Sequence, residues 1–331
     1  GIYPDSVNIG ATVINGGNNT SVVTFDHGES NSAELCGFEI RNGLGNDVLW
    51  EFTGGGITCQ NNSSPTLSHL IVQWNSALGG GGMFIQDSSP VIHHCAIKDN
   101  HAESTAGGIY CWNSHPTITY TEISVNTADW LAGGLFGGSN SVLTVSNLTV
   151  IGNISGDLSG GGIYTNNSSA FISNTITWNN EPDQIAAYHD TGIYPLVIDY
   201  CDIQDGLDGV VPWQNVDFQY GDHNISDHPL FQLYMGFQLS AESPCIDAGN
   251  PESPFDPDGT IADMGAYYYH QSNDLGDING DLSIDILDIV RLVNMILTQE
   301  YTDEEFAAGD ISQDGILNVL DILQLINMIL A

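Results

Sequence analysis

The middle of the chain repeats one short pattern five times. Each copy has a glycine pair or triplet, an aliphatic residue, a Ser-Ser-Pro-like turn, an alternating apolar stretch and a closing Asn. The aliphatic residues recur every 26 to 28 positions: Ile57, Met83, Ile109, Leu135 and Ile163. The closing asparagines recur every 25 to 27 positions: Asn75, Asn100, Asn126, Asn153 and Asn179. A fixed period of this size predicts a stacked solenoid, because one repeat cannot bury its apolar face until a neighbour covers it.

Each repeat is predicted to consist of strands. Apolar and polar residues alternate, as at Ile57 and Cys59 and at Leu70 and Val72, and Gly, Asn and Pro separate the alternating stretches. About 26 residues then hold three short strands and three turns, which is one coil of a parallel β-helix, expected to be right-handed. The predicted fold is an all-β solenoid with N-terminal entry coils over 1–53, regular coils over 54–206 and a closing segment over 207–270.

The closing asparagines have two possible roles. Asn tolerates left-handed backbone angles, and its amide can hydrogen-bond to the same amide one coil above and below. The sequence therefore favours an internal ladder of amides over a ligand site.

These repeats resemble a known family. The strings GGGITCQNNSSPTL, GGGMFIQDSSPVI and GGIYCWNSHPTI are similar to the right-handed parallel β-helix proteins of bacterial surfaces and to the repeats of the polymorphic outer-membrane proteins. The stretch that begins with His228 to Phe231 and continues from Ser243 to Ala266 resembles the segment that closes many secreted β-helices. The resemblance implies a fold and says almost nothing about activity.

The charge excludes several partners. The chain has 3 Lys and Arg residues against 41 Asp and Glu residues, and its net charge is −38. Binding to polyanions depends on clustered cations, and Arg41 and Lys98 are the only ones before residue 274. Nucleic acid and pectin-like chains are therefore poor candidates, whereas divalent cations, neutral glycans, other proteins or copies of the chain remain. A solvated Asn-, Ser-, Thr- and Asp-rich surface with no such role would have the same composition.

The six cysteines are predicted to be mostly free thiols in the core. Cys59 and Cys111 lie two coils apart, which at roughly 4.8 Å per coil is too far for a disulfide. Cys95 and Cys201 occupy expected inward positions. Cys36 and Cys245 could pair only if the two ends of the β-helix met.

The composition changes at Asp274, where the glycine pairs stop. Two EF-hand-like loops follow, 33 residues apart, with oxygen-bearing side chains at the spacing that wraps a Ca²⁺ ion. The expected ligands of the first loop are Asp277, Asn279, Asp281, Ser283, Asp285 and Asp288. Those of the second loop are Asp310, Ser312, Asp314, Ile316 through its carbonyl, Asn318 and Asp321. Two Ca²⁺ ions are therefore expected.

Each loop runs into a near-identical amphipathic helix, and Thr302 with Glu305 forms a capping-box pair between them. This duplicated unit over 274–331 resembles a dockerin module, which implies a small α-helical calcium-binding domain that docks a protein partner. The resemblance places partner contacts at Ile286, Leu287, Val319 and Leu320. Packing of these apolar residues on the β-helix is the alternative. Leu282 stands at the position of the first loop where dockerins usually have Gly, and a left-handed Leu at that position costs about 1 to 2 kcal/mol. In the second loop, Ser312 replaces the Asp or Asn that dockerins usually have at its position.

Function is predicted from what the chain carries and lacks. Parallel β-helices include carbohydrate-active enzymes, which use paired carboxylates or a basic residue. Arg41 and Lys98 lie in different coils, and the pairs Asp205 with Asp208 and Asp256 with Asp258 stand in turn-like contexts. The adjacent His93 and His94 are expected to point to opposite faces of a strand, so that they could not hold a metal together. We therefore expect a non-catalytic structural or adhesive protein that attaches through the C-terminal module, with head-to-tail self-assembly into a filament. The alternative is a secreted glycoside hydrolase or lyase.

The expected location is outside the cell, at a bacterial surface. No apolar run approaches the 18 or more residues of a membrane span. A start at Gly1 without Met is typical of a chain after signal removal, and a trimmed chain would look the same. The expectation depends mainly on the two resemblances.

Overall fold

The computed structural model describes residues 6–45, 47–48, 51–52, 54–156, 160–232, 236–269, 275–281, 283–312 and 315–330. These residues fall into two compact units: the chain through Pro254 with Ile261–Tyr269, and Phe255–Thr260 with the C-terminal residues. The first unit is a parallel β-solenoid of about 8 turns with a coil of about 26 residues. The predicted fold class is therefore confirmed.

Three parallel sheets run along the solenoid. In the longest sheet the described strands are Val13–Asn15, Glu34–Cys36, Glu39–Arg41, Thr66–Ser68, Ile71–Gln73, Val91–His93, Ala96–Lys98, Thr117–Ser124, Val142–Ile151, Ser169–Ser173, Ile176–Trp178, Tyr194–Asp199, Asp202–Ile203 and Val216–Tyr220. The second sheet contains Val23–Phe25, Ile57–Cys59, Met83–Gln86, Ile109–Trp112, Leu135–Gly138, Ile163–Asn166, Ile185–Tyr188 and Val210–Pro212. A third contains Ser76–Gly79, His101–Thr105, Thr127–Ala128 and Ile154–Ser155. Asp47–Val48 and Glu51–Phe52 form a separate antiparallel pair.

The remaining elements are short. Helix α1, Ser6–Ala11, precedes the first strand, and a 3₁₀-helix spans Gly206–Gly209. Helices α2, Ile286–Thr298, α3, Asp303–Gly309, and α4, Val319–Leu330, follow in the C-terminal unit. No described helix has the length and apolar character needed to cross a membrane.

The aliphatic residue of each repeat stacks on its counterpart in the next coil. Ile57 pairs with Met83, and Met83 with Ile109. All five predicted positions are at most 1% exposed, so they form one column of the core. Two further coils continue this column at Ile185 and Val210, and Val23 precedes it. The repeat pattern did not identify these three positions because no glycine pair directly precedes them, although the predicted coils over 1–53 and 54–206 and the closing segment over 207–270 include them.

The predicted asparagine ladder is present, with one correction. Each amide Nδ2 of Asn75, Asn100 and Asn126 donates to Oδ1 of the Asn in the next coil at 3.0 Å. Asn153 donates in the same way to Asn180, so the assignment of Asn179 was wrong. Gln184 ends the ladder by accepting from Asn180 at 2.8 Å.

The left-handed bend lies one residue before the ladder. The residues with positive φ at this corner are Trp74, Asp99, Val125, Gly152 and Asn179, with φ from 52° to 64°. The prediction that the ladder asparagines themselves adopt left-handed angles was therefore wrong for the first four. The corner turns before the Asn, which leaves its amide pointing into the coil.

All six cysteines are free, as predicted for the core positions. Cys59, Cys95, Cys111, Cys201 and Cys245 are buried, whereas Cys36 is exposed. Burial raises the pKa of the Cys95 and Cys201 thiols to about 12. These thiols are therefore protonated and unreactive at neutral pH.

Candidate functional site

The C-terminal unit is built around two equivalent helices. The buried residues Leu292 and Met295 of α2 and Leu325 of α4 pack together with Ile278 and Leu317, which precede the helices. Apolar residues recur at helical spacing in both helices, so each has one buried stripe and an opposite exposed face. The loops that carry the predicted calcium ligands lie immediately before these helices.

Asp288 organises the first loop from a buried position. Its carboxylate is 0% exposed. Oδ1 accepts from the amides of Ile278 and Asn279 at 2.9 and 3.0 Å, and Oδ2 accepts from the Asp285 amide at 2.9 Å. Asp285 in turn caps α2 by accepting from the Leu287 amide at 2.7 Å. Asp288 thus joins the start of the loop to the start of the helix.

The second loop repeats this arrangement. Asp321 is also 0% exposed, and its two oxygens accept from the amides of Ser312 and Asn318 at 2.9 Å each. Asn318 Oδ1 accepts from the Leu320 amide at 2.7 Å, as Asp285 does for Leu287. Equivalent residues with equivalent bonds 33 positions apart show that the unit is an internal duplication.

The other predicted ligands lie along the two loops. Asp277 is 2% exposed, and its Oδ1 accepts from the amides of Gly280 and Asp281. Asp281 accepts from Asn279 and from the Ser283 amide. In the second loop, Asp310 accepts from the Gly315 amide and Ser312 Oγ, and the Ile316 carbonyl accepts from Asn318. Asp314 and Leu282 lie outside the described residues.

The donor set fits a hard cation. Every predicted ligand offers oxygen, and loop 1 alone has four carboxylates, which is the chemistry that Ca²⁺ selects. Asp277 and Asp288, the first and last residues of the first loop, are both buried, and a buried carboxylate is stabilised when a cation pairs with it. Among the described residues, no three His, Cys, Asp or Glu side chains converge as a metal site. The residues therefore fit Ca²⁺ by type and spacing.

The four predicted docking residues are exposed. Ile286 and Val319 are 67% and 66% exposed, and Leu287 and Leu320 are 55% and 45% exposed. Val290 and Leu323 form a third such pair, at 53% and 54%. The sequence argument missed this pair, although it stands at the same 33-residue spacing. We call these six residues the docking surface.

An ion pair joins helices α2 and α3 of the C-terminal unit. Thr302 and Glu305 form the predicted capping box at the start of α3. Glu305 also accepts from Arg291 Nε and Nη2 at 2.7 and 2.6 Å. A bidentate pair of this kind fixes orientation as well as charge, so it ties α3 to α2.

The adjacent histidines of the β-helix do not behave as predicted. His93 ends a strand, but His94 has a φ of 53° and belongs to the next corner. The two Nδ1 atoms consequently lie 3.0 Å apart, so the expectation that the rings point to opposite faces was wrong. Burial, followed by the neighbouring His93 and His69, lowers the pKa of His94 to about 4.

One carboxylate in the β-helix has an unusual environment. Asp202 is 0% exposed, and its Oδ2 accepts from the Cys245 thiol at 3.2 Å. Burial raises the pKa of Asp202 to about 7. A raised carboxyl pKa is typical of a general acid, but this side chain is inaccessible to a polysaccharide.

The fold and this unit define a class of protein: a parallel β-helix carrying a duplicated loop–helix module. A family model described as a right-handed β-helix region matches residues 6–176, and a dockerin type I domain model matches residues 275–330. The chain belongs to the right-handed β-helix family and carries a C-terminal dockerin type I domain. No curated protein and no solved structure matched the chain significantly.

The match assigns general properties to the C-terminal domain. Dockerin type I domains bind calcium. They mediate protein–protein binding, typically to cohesin partners, and they occur in extracellular proteins. The right-handed β-helix fits a surface protein and also occurs in polysaccharide-active enzymes.

Proposed function

We propose that this chain is a secreted, non-catalytic structural or adhesive protein of a bacterial surface. Its dockerin domain attaches the β-helix to a protein partner, and Ca²⁺ stabilises the domain in the binding form. The observation that carries this proposal is the docking surface, which presents the same three apolar positions twice. Exposed apolar groups at matched positions are typical of an interface.

Two Ca²⁺ ions are proposed, one for each loop. Asp277, Asn279, Asp281, Ser283, Asp285 and Asp288 would hold the first ion. Asp310, Ser312, Asp314, Asn318, Asp321 and the Ile316 carbonyl would hold the second. A bound ion would fix the loop against the helix start, because Asp288 and Asp321 already contact both. The ions would thereby fix the relative positions of the docking residues.

The partner is proposed to be a cohesin-type protein with an apolar face. The six docking residues have no charged members, so burial of apolar area would provide the main free energy of association. A copy of this chain is a second proposed partner, because open sheet ends and a heterologous contact that does not close generate a filament. Neutral glycans are a further proposed class of ligand for the polar surface of the β-helix.

Paired substitutions test the docking surface. We expect Leu287→Asp with Leu320→Asp to abolish binding to a panel of cohesin domains in isothermal titration, because both copies then bury a charge. Both side chains are exposed, so the domain should stay folded by circular dichroism. Binding should also disappear in EGTA.

Leu207→Asp is the matched control, since Leu207 is 55% exposed in the β-helix, as Leu287 is in the dockerin domain. This variant should bind like the wild type. Equal binding by the double variant and the wild type would rule out the docking surface.

The enzyme alternative predicts a different result. A glycoside hydrolase or lyase would turn over at least one member of a panel of neutral and acidic polysaccharides. Turnover that disappears when a single exposed Asp is changed would overturn the non-catalytic proposal. This measurement is needed because right-handed β-helices also occur in polysaccharide-active enzymes.

A further inference from the structure

Three histidines and a cysteine lie close together at one corner of the β-helix. The rings of His69, His93 and His94 have centroids 5.2 to 5.9 Å apart. Cys36 Sγ lies 3.9 Å from His69 Nδ1. Strand pairing aligns three successive coils at this corner. Cys36 pairs with Ser68, the residue before His69, and Ser68 pairs with His93 in the following coil.

The facing Nδ1 atoms of His93 and His94 are the chemically informative part of this corner. A neutral imidazole presents a lone pair on one nitrogen. The two Nδ1 atoms lie 3.0 Å apart, and they form a hydrogen bond when one ring carries its proton on Nδ1. When both rings carry their proton on Nε2, two lone pairs face each other across the same gap. That arrangement is repulsive when it is empty and favourable when a cation lies between the two nitrogens.

The separation of these nitrogens selects the kind of ion. Imidazole nitrogen suits Zn²⁺, Cu²⁺ and Ni²⁺. At a metal–nitrogen bond length of about 2.1 Å, two nitrogens 3.0 Å apart subtend an angle of about 90° at the ion. A right angle matches the square-planar and tetragonal geometry of Cu²⁺ and Ni²⁺ better than tetrahedral Zn²⁺.

His69 and Glu34 belong to the surroundings of the pair. His69 Nε2 is buried and has no hydrogen-bond partner among the described residues. Glu34 approaches from the preceding coil, where its carboxylate accepts from Ser68 Oγ at 2.8 Å. No third His, Cys, Asp or Glu in the described part of the chain converges with the pair, so water would complete the coordination. The net charge of −38 also raises the local concentration of cations.

We propose that His93 and His94 chelate one Cu²⁺- or Ni²⁺-class ion through their Nδ1 atoms. The competing explanation is purely structural. His69, His94 and Tyr120 stack with centroid distances of 5.2 and 5.1 Å and nearly parallel planes, and this column could exist only to support the corner.

Titration of the full chain with Ni²⁺, in excess Ca²⁺ to occupy the dockerin loops, separates the two explanations. The wild type should bind one Ni²⁺ per chain outside the dockerin domain. His93→Gln and His94→Asn should weaken this binding by at least about tenfold, since loss of even an outer-shell partner commonly costs that much. Asn is chosen at position 94 because it tolerates the left-handed φ of 53°.

Two controls make the result specific. His115→Asn changes an exposed histidine outside the cluster and should leave Ni²⁺ binding unchanged. Tyr120→Asn removes the stacked ring at another left-handed residue and should also retain binding. Electron paramagnetic resonance of the Cu²⁺-loaded wild type should report two coordinating nitrogens. Absence of Ni²⁺ binding by the wild type, or equal binding by the wild type, His93→Gln and His94→Asn, would overturn the proposal.

Discussion

At the residue scale, the glycine pair of each repeat leaves space for the side-chain amide of the closing asparagine. A Cβ on Gly108 would lie 3.2 Å from Asn126 Nδ2 and 2.5 Å from the Gly134 carbonyl oxygen. Gly82 and Gly56 stand in the same relation to Asn100 and Asn75. The glycine keeps space for the amide, and the amide satisfies the backbone at the corner, which is why both recur with one period.

The same corner shows where sequence reasoning fails. The period located the ladder, but it could not distinguish Asn179 from Asn180, because both are asparagine and only the left-handed bend selects one. His94 was misplaced for a related reason, since a strand pattern does not reveal the residue at which the strand ends. Corner geometry depends on contacts between coils, and the local sequence does not encode those contacts.

Asp202 gives a pH-dependent prediction at this scale. Its pKa in the folded protein, about 7, lies above the ordinary unfolded value of about 3.9. The folded state therefore holds the proton more tightly, so Asp202 lowers stability as the pH rises from about 4 to 7. We expect Asp202→Asn to stabilise the β-helix at pH 8 relative to the wild type, by up to about 4 kcal/mol more than at pH 4.

Urea unfolding of the calcium-loaded chain at several pH values measures this difference. Asp208→Asn, at an exposed position in the same coil, serves as the control and should show no such trend. A stability gain for Asp202→Asn that does not change between pH 4 and pH 8 would contradict the burial argument.

At the element scale, the two loop–helix units were predictable because their signals are local. Ligand spacing, the capping box and the amphipathic stripe all fall within one loop and the next helix. The exposed pair Val290 and Leu323 was missed because exposure depends on how α2 and α4 pack together. The places of Ile185 and Val210 in the aliphatic column were not identified, because their coils lack the glycine pair and strand pairing alone defines these positions.

Calcium stoichiometry tests these elements. Asp277→Asn and Asp310→Asn each remove a carboxylate charge while keeping an oxygen that can accept the loop amides. We expect each variant to bind one Ca²⁺ in calorimetry where the wild type binds two, and the double variant to bind none. Asp217→Asn, at an exposed strand position, should retain two. A wild-type stoichiometry of one would show that a loop is inactive.

At the scale of the whole molecule, the composition and the fold support the proposed role as a scaffold. The chain combines a repetitive β-helix, a very low content of Lys and Arg, and a domain whose family binds proteins. Sequence reasoning identified both units because each has a periodic signal. The identity of the partner is not encoded in either period, since an interface is defined by two surfaces and the sequence supplies only one.

The central proposal is that this chain acts by joining other proteins, including copies of itself, through its calcium-loaded domain. Electron microscopy of the purified full chain with Ca²⁺ and with EGTA tests it most directly, with Leu287→Asp/Leu320→Asp as the variant and Leu207→Asp as its control. We predict filaments with Ca²⁺ for the wild type and the control, and dispersed single particles for the double variant and in EGTA. Monodisperse monomers of the wild type in both conditions would contradict self-assembly.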